Sequence, residues 1–382
     1  MNQVPLWGYP PVFLGSVALA LLFTPIALRL ALRRGILDHP GAIKAQSSPV
    51  PYLGGAAIVV SFAVAVAVLA LIRPPVSGLG QLTALLAIAV ALALLGLIDD
   101  LRGLSPMLRL GFQVAAGVGV WACGVEAHLL GPDVADAAVT VLWVVAVTNA
   151  FNLLDNMDGL SAGVAAIASM FLFIVAYLNG QFLVATLAIA LAGVAAGFLR
   201  HNFQPARIYM GDAGSLFLGF LLAVLSLKLR TRIVTRTTFL VPMVILGIAL
   251  FDTTLVTVTR LIHHRSPMMG GRDHTSHRLV HVGIPVRATV GLIYAACVAL
   301  GWLGVVMSRL DRSTSFILMG LVLAVALFLG VLLAMVPVYD TSRRRHLAIR
   351  ELTPDERHQR EAPRDGPRVL PTPATEATAG KR

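Results

Sequence analysis

Residues 81–102 read QLTALLAIAVALALLGLIDDLR. No charged side chain occurs from Gln81 to Ile98, and then two aspartates stand side by side ahead of Arg102. About 20 apolar residues in an α-helix span the roughly 30 Å hydrocarbon core of a bilayer. In hydrocarbon every backbone N–H and C=O must be paired within the segment, so such a run is helical. The acids mark its end, because carboxylates at membrane depth are costly and are kept where a site uses them.

The same reading extends in both directions. Apolar windows lie near 11–32, 52–72, 108–125, 137–151, 159–179, 181–199, 213–229, 238–261, 287–307 and 314–338 as well as 81–98. That predicts an all-α polytopic membrane protein of about eleven transmembrane helices. The composition agrees: 57% of the 382 residues are hydrophobic and 13% charged, with a mean hydropathy of +0.82. Soluble domains are about a quarter charged. The first run lacks a basic segment ahead of it and is expected to remain as a helix rather than to be cleaved. The two cysteines, Cys123 and Cys297, sit in apolar runs and suggest neither a disulfide framework nor a zinc site. Residues 1–339 are read as the transmembrane domain. The basic tail 340–382, rich in Arg, Pro, Glu and Thr, is expected to be disordered, with Arg343, Arg344 and Arg345 near anionic headgroups.

An odd number of spans puts the termini on opposite sides. One side collects Arg29, Arg33, Arg34, Lys44, Arg102, Arg109, Arg200, Arg207, Arg260, Arg265, Arg272, Arg278 and Arg287 together with the tail. By the positive-inside rule that side is cytoplasmic and the N-terminus lies outside, in a cell (plasma or inner) membrane. The cluster Lys228, Arg230, Arg232 and Arg236 breaks the rule. The net charge of +11 suits anionic lipid or a phosphorylated substrate. Nucleic acid is not expected, since no soluble domain presents a groove.

The acids sort by side. Asp38, Asp99, Asp100, Asp155, Asp158, Asp212 and Asp273 fall at the cytoplasmic ends or loops, and Asp252 lies within a span toward them. Glu126, Asp133, Asp136 and Asp311 fall opposite. Short carboxylates interleaved with cations on one face suit a hard cation and phosphate oxygens, the requirement of phosphoryl transfer. Adjacent Asp99 and Asp100 need a metal ion, a proton or full solvation to relieve their repulsion. Asn149, Asn152, Asp155, Asn156 and Asp158 crowd one short stretch, more polar groups than helix capping requires. Asp212, between Gly211 and Gly214, suits a helix N-cap, a metal ligand or both, and Tyr209 before it could stack on a flat ring. His274 and His277 lack a third ligand for zinc, and the flanking Arg272 and Arg278 suit phosphate or sugar contacts. Lys44 is either a phosphate contact or a positive-inside anchor.

Taken together, the Asp38-His39-Pro40 region, Gly54-Gly55, Asp99-Asp100, Asn149 through Asp158-Gly159, Met210-Gly211-Asp212-Ala213-Gly214-Ser215 and the histidine loop resemble the polyprenyl-phosphate N-acetylhexosamine-1-phosphate transferases over roughly residues 10–338. The resemblance implies transfer of a sugar-1-phosphate, N-acetylglucosamine-1-phosphate first, from a UDP-sugar to undecaprenyl phosphate with release of UMP, opening cell-envelope polysaccharide synthesis. It implies Mg²⁺, or Mn²⁺ in its place, on Asp212 and Asn152. It puts Asp99 and Asp100 beside the lipid phosphate, one of them a candidate base, and Asp158 and Tyr209 on the uracil. Arg109 and Lys44 match basic positions near the phosphates and the nucleotide. Asn149, Asp155, Arg272, His274, His277 and Arg278 complete the expected substrate contacts, and a homodimer is an expected assembly. Members that use UDP-N-acetylglucosamine often carry His-Ile-His-His where this chain has His274-Thr275-Ser276-His277. UDP-MurNAc-pentapeptide or another UDP-N-acetylated deoxysugar is the alternative substrate. A cation-coupled transporter is the alternative of another class, disfavoured because its acids would sit at the midplane with a repeat.

Overall fold

The computed structural model describes residues 6–38, 49–74, 78–129, 131–231, 238–268 and 270–339. Lys44 and the tail beyond Tyr339 lie outside the described residues. By internal contacts the chain divides into Met1–Val336 and Pro337–Arg382, and all that follows concerns the first unit.

Each predicted window holds helix. In chain order these are α1 (Tyr9–Arg34), α2 (Gly54–Ile72), α3 (Leu79–Arg102), α4 (Pro106–Ala122), α5 (Asp133–Leu154), α6 (Leu160–Leu178), α7 (Phe182–Asn202) and α8 (Gly211–Leu227). There follow α9 (Leu240–Ile245) and α10 (Gly247–Ile262), a short α11 (Thr275–His281), then α12 (Val286–Met307) and α13 (Arg312–Ala334). Eight of the described helices are long and apolar enough to cross a membrane. The rest of the expected spans are shorter or broken. α4 and α8 have 17 residues each. The window 238–261 is split at Leu246, with Pro242 before the break and Gly247 after it. Pro242 sits in the first turn of α9, where its missing N–H is tolerated, and the glycine at 247 weakens the helix where continuity fails. A two-residue hairpin, Leu37–Asp38 against Val50–Pro51, is the strand structure among the described residues.

Helix α8 is the centre. Every residue from Ala213 to Leu227 is buried, as a helix apolar on all sides should be. α2, α3 and α5 pack around it, while α6 and α7 pack together and α7 lies on α1. In the apolar window of α13, by contrast, 6% is buried, a lipid-facing surface. In lipid, apolar side chains gain nothing from leaving the solvent, so close packing of small residues holds the helices. Gly54, Gly55 and Gly96 lie directly against the backbone of Tyr209–Gly214, where any Cβ would collide. Those contacts bring the ends of α2 and α3 onto the N-terminus of α8.

Candidate active site

The site forms where the C-termini of α3 and α5 meet the N-termini of α4 and α8. Ser105 caps α4, its hydroxyl accepting from the Leu108 N–H at 3.3 Å, and Pro106 opens the helix. That start places Arg109 one turn in. Its Nη1 lies 2.9 Å from Asp99 Oδ2 and 3.0 Å from Asp212 Oδ2, so one guanidinium nitrogen joins two carboxylates. Asp99 is buried and also accepts from the Leu104 N–H at 2.5 Å. Asn152 donates its amide to Asp212 Oδ1 at 2.8 Å and to Ser215 Oγ at 3.0 Å, which leaves its carbonyl oxygen as an acceptor.

Asp100, expected beside a lipid phosphate, also has a part in the fold. Its two oxygens accept from the backbone N–H groups of Asp212 (2.9 Å) and Ala213 (3.2 Å). Free N–H groups at a helix start attract a carboxylate, and here it arrives from another helix. Asp100 is a cap for α8, each of its oxygens taking one backbone N–H.

The loop after α5 carries Asp155 and Asp158. Asp158 Oδ2 accepts from the Ala206 N–H at 2.9 Å; burial raises its pKa and that hydrogen bond opposes the rise. The Asp155 carboxyl has no hydrogen-bond partner among the described residues. Burial first, then the fields of Asp212, Asp100 and Asp158, hold its pKa well above the usual carboxylate range. The Tyr209 hydroxyl is pushed up to about 12 by burial and by Asp158, Asp38 and Asp155. These groups therefore lie within electrostatic reach of one another. Backbone bonds seat Tyr209 there: its N–H donates to Pro51 at 2.8 Å, and its carbonyl accepts from Gly54 at 3.0 Å.

The histidine loop is ordered by acids. Asp252 accepts from the Thr275 N–H at 2.6 Å and lies 2.8 Å from His274 Nδ1. With Nδ1 so engaged, Nε2 is the nitrogen left for a ligand. His277 lies beside it, ring centroids 6.2 Å apart. Burial, then His274 and Arg272, lower the His277 pKa to about 4. Ser276, the departure from the three-histidine pattern, is buried and donates to Asn156 Oδ1 at 2.6 Å, joining this loop to the one bearing Asp155.

Arg278 is a correction. It was expected on substrate, but it is fully buried and donates to the carbonyls of Asp273 (2.8 Å), Leu333 (2.8 Å) and Val336 (3.3 Å) and to Thr259 Oγ1 (3.2 Å). Orphan carbonyls at the end of α13 attract a cation, and the guanidinium fork satisfies several at once. Asp273 likewise pairs with Arg260 through two bonds of 2.7 and 2.8 Å. Asn149 is also turned inward, onto Gln113 Oε1 and the Val145 carbonyl. Arg272 stays exposed.

Sequence reasoning passed over three residues. Gln113, buried on α4, holds Asn149. Asn202, buried at the end of α7, accepts from the Gly159 N–H at 3.1 Å and donates to the Ile208 carbonyl at 3.0 Å. Ser215 receives Asn152. A lone amide in an otherwise apolar stretch was the available signal for Gln113.

No three His, Cys, Asp or Glu side chains among the described residues make a metal cage. Mg²⁺ does not need one, since it is held through one or two carboxylates with waters and substrate phosphates. Asp212, the unpartnered Asp155 and the Asn152 carbonyl are the oxygens that fit it.

Residues 82–230 match the family model described as Glycosyl transferase family 4. A probable undecaprenyl-phosphate N-acetylglucosaminyl 1-phosphate transferase of Bacillus subtilis is 32% identical over 294 residues, 74% of this chain and 80% of that protein. A decaprenyl-phosphate N-acetylglucosaminephosphotransferase of Mycolicibacterium smegmatis is 30% identical over 346 residues, 81% and 83% of the two chains. A phospho-N-acetylmuramoyl-pentapeptide-transferase of Bacillus cytotoxicus is 30% identical over 275 residues, 66% and 82%. With a carboxylate cluster bridged by Arg109 at one end of its helices and relatives matched over most of their length, the chain belongs to glycosyl transferase family 4, among the polyprenyl-phosphate N-acetylhexosamine-1-phosphate transferases.

Proposed function

We propose that this protein transfers N-acetylglucosamine-1-phosphate from UDP-N-acetylglucosamine to undecaprenyl phosphate, releasing UMP at the cytoplasmic face of a cell membrane. The observation that carries the reading is Arg109 between Asp99 and Asp212, with Asp155, Asp158 and Tyr209 beside them. Two relatives named for N-acetylglucosamine phosphate transfer support the choice of sugar.

An oxygen of the lipid phosphate attacks the phosphorus that bears the sugar. The new P–O bond forms as the bond to the UMP phosphate oxygen breaks, and UMP leaves with that electron pair. The nucleophile is already an anion near neutral pH, so no strong base is needed, and positioning with charge neutralisation carries the catalysis. Arg109 stands where it can offset charge on the transferred group while holding Asp99 and Asp212 in place. Asp158 and Tyr209 offer an acceptor and a flat ring to uracil. His277, with its depressed pKa, and the Nε2 of His274 offer contacts to sugar hydroxyls. Mg²⁺ on Asp212, Asp155 and Asn152 would neutralise and polarise the diphosphate.

The test is UMP release by purified protein with undecaprenyl phosphate, Mg²⁺ and a panel of UDP-sugars that includes UDP-MurNAc-pentapeptide. UDP-N-acetylglucosamine should give the highest rate. UMP from the pentapeptide nucleotide alone would replace the substrate, and no UMP from any sugar would end the reading.

A further inference from the structure

At the end of the bundle opposite the carboxylates, a cavity of about 210 Å³ lies among α2, α3, α7 and α8. Its walls include Phe62, Leu85, Leu86, Leu187 and Leu221, and Lys228 stands at its rim. An apolar cavity of about 150 Å³ stays dry and takes up a benzene ring, so this one has room for a stretch of hydrocarbon.

The rim is cationic, with no carboxylate in contact among the described residues. Lys228 Nζ donates to Gln81 Oε1, a neutral amide. Gln81 in turn donates to the Cys123 carbonyl at 2.6 Å, and Gln181 donates to the Lys228 carbonyl at 2.8 Å. Arg230 is exposed, its N–H donating to Gln181 Oε1 at 2.6 Å. The Arg230 guanidinium meets the Leu227 carbonyl at 3.0 Å and His128 Nε2 at 3.3 Å. Neither cation has a carboxylate within ion-pair distance among the described residues; Glu126, 3.8 Å from His128, reaches Arg230 only through its longer-range field. Neutral amides fix both cations in position without discharging them. These are also two of the basic residues that break the charge bias of the loops.

We propose that this cleft binds an anionic phospholipid, with one acyl chain in the apolar slot and the phosphate between Lys228 and Arg230. Charge complementarity selects the headgroup, since a zwitterionic lipid would bring its own cation to the same rim. The slot selects a flexible hydrocarbon chain, and its distance from Asp212 separates it from the site of transfer.

The test is native mass spectrometry of the full chain in neutral detergent. Phosphatidylglycerol, phosphatidylcholine of the same chains and undecaprenyl phosphate are added one at a time and then in competition. The wild type should retain one phosphatidylglycerol and at least tenfold less phosphatidylcholine. The double variant Lys228→Gln/Arg230→Gln should lose that adduct at least tenfold, and Leu86→Trp, which fills the slot but keeps the cations, should lose it as well. Phosphatidylglycerol should raise the Tm of the wild type and leave both variants unmoved. Equal binding of the two phospholipids, or an adduct that survives both variants, would overturn the proposal. Displacement of phosphatidylglycerol by undecaprenyl phosphate, lost in the same variants, would also overturn it by making the carrier the occupant. If the double variant does not fold, Leu86→Trp decides alone. The readout is binding, so it stands whether or not UMP release is found.

Discussion

Gly96→Ala tests whether helix packing sets the catalytic geometry. Gly96 faces the start of α8, and a Cβ there would lie 2.5 Å from Ala213 N, Asp212 C and Asp212 O. All three are backbone atoms, so no side-chain rotation relieves the contact. Ordinary van der Waals contact begins near 3.4 Å, so α3 and α8 must separate by about 0.9 Å. Asp212 lies within that contact, and its 3.0 Å bond to Arg109 and the Asp100 cap would open by a comparable amount. A misplacement of about 1 Å costs on the order of 10²-fold in rate, or about 2.7 kcal/mol of barrier. Overpacking costs about 1–3 kcal/mol of stability in addition. The assay is UMP release with saturating lipid and nucleotide, beside thermal unfolding in one detergent. Gly80→Ala is the control on the same helix, since nothing lies within 4 Å of its Cβ. Gly96→Ala with a rate within threefold of wild type would refute the argument that this contact positions Asp212.

Other outcomes follow from the same geometry. Arg109→Ala leaves Asp99 and Asp212 together without their shared cation and should lower kcat for UMP release by about 10²–10³-fold, whereas retention of a tenth of the wild-type rate would deny Arg109 its role. Asp155→Asn removes a carboxyl whose ionisation burial and three neighbouring acids oppose, so the Tm in EDTA at neutral pH should rise while UMP release is lost; a lower Tm contradicts the assignment. His277 titrates near 4 in the folded protein against about 6.5 unfolded, so its depressed pKa leaves stability intact above pH 6.5. That stability falls as pH drops from about 6.5 to 4, by about 3 kcal/mol at most. His277→Gln should flatten this acid limb of the Tm–pH curve, and an unchanged limb would place the titration elsewhere.

The helices were legible because the bilayer imposes a simple rule on length and polarity, and each window read from hydropathy contains helix. What hydropathy could not show was the break at Leu246, since the chain from Leu240 to Phe251 is apolar on both sides of it while the defect is a matter of backbone. The site was legible as a set of acids gathered at one end. Their separate duties were not, because duty depends on which partner packs against each one. Arg278 looked like a phosphate contact while its target was a helix end some 55 residues further along the chain. Asn202 and Gln113 were passed over for the related reason that an amide, whether among polar neighbours or alone in an apolar run, has no visible partner until the helices meet.

The doublet Asp99-Asp100 appears redundant on paper, yet successive residues on a helix project about 100° apart. Asp99 turns to Arg109, and Asp100 turns to the start of α8, where it fills the space a Cβ on Gly211 would need. Gly211 also adopts a φ of +65°, which any side chain would resist. Positions 100 and 211 are thus a lock and its keyhole, cut from distant parts of one chain. Inheritance should treat them as a single character: a longer side chain at 100 or any side chain at 211 crowds the same space and moves Asp212, neither change relieves the other, and joint invariance of the two is the trace it would leave.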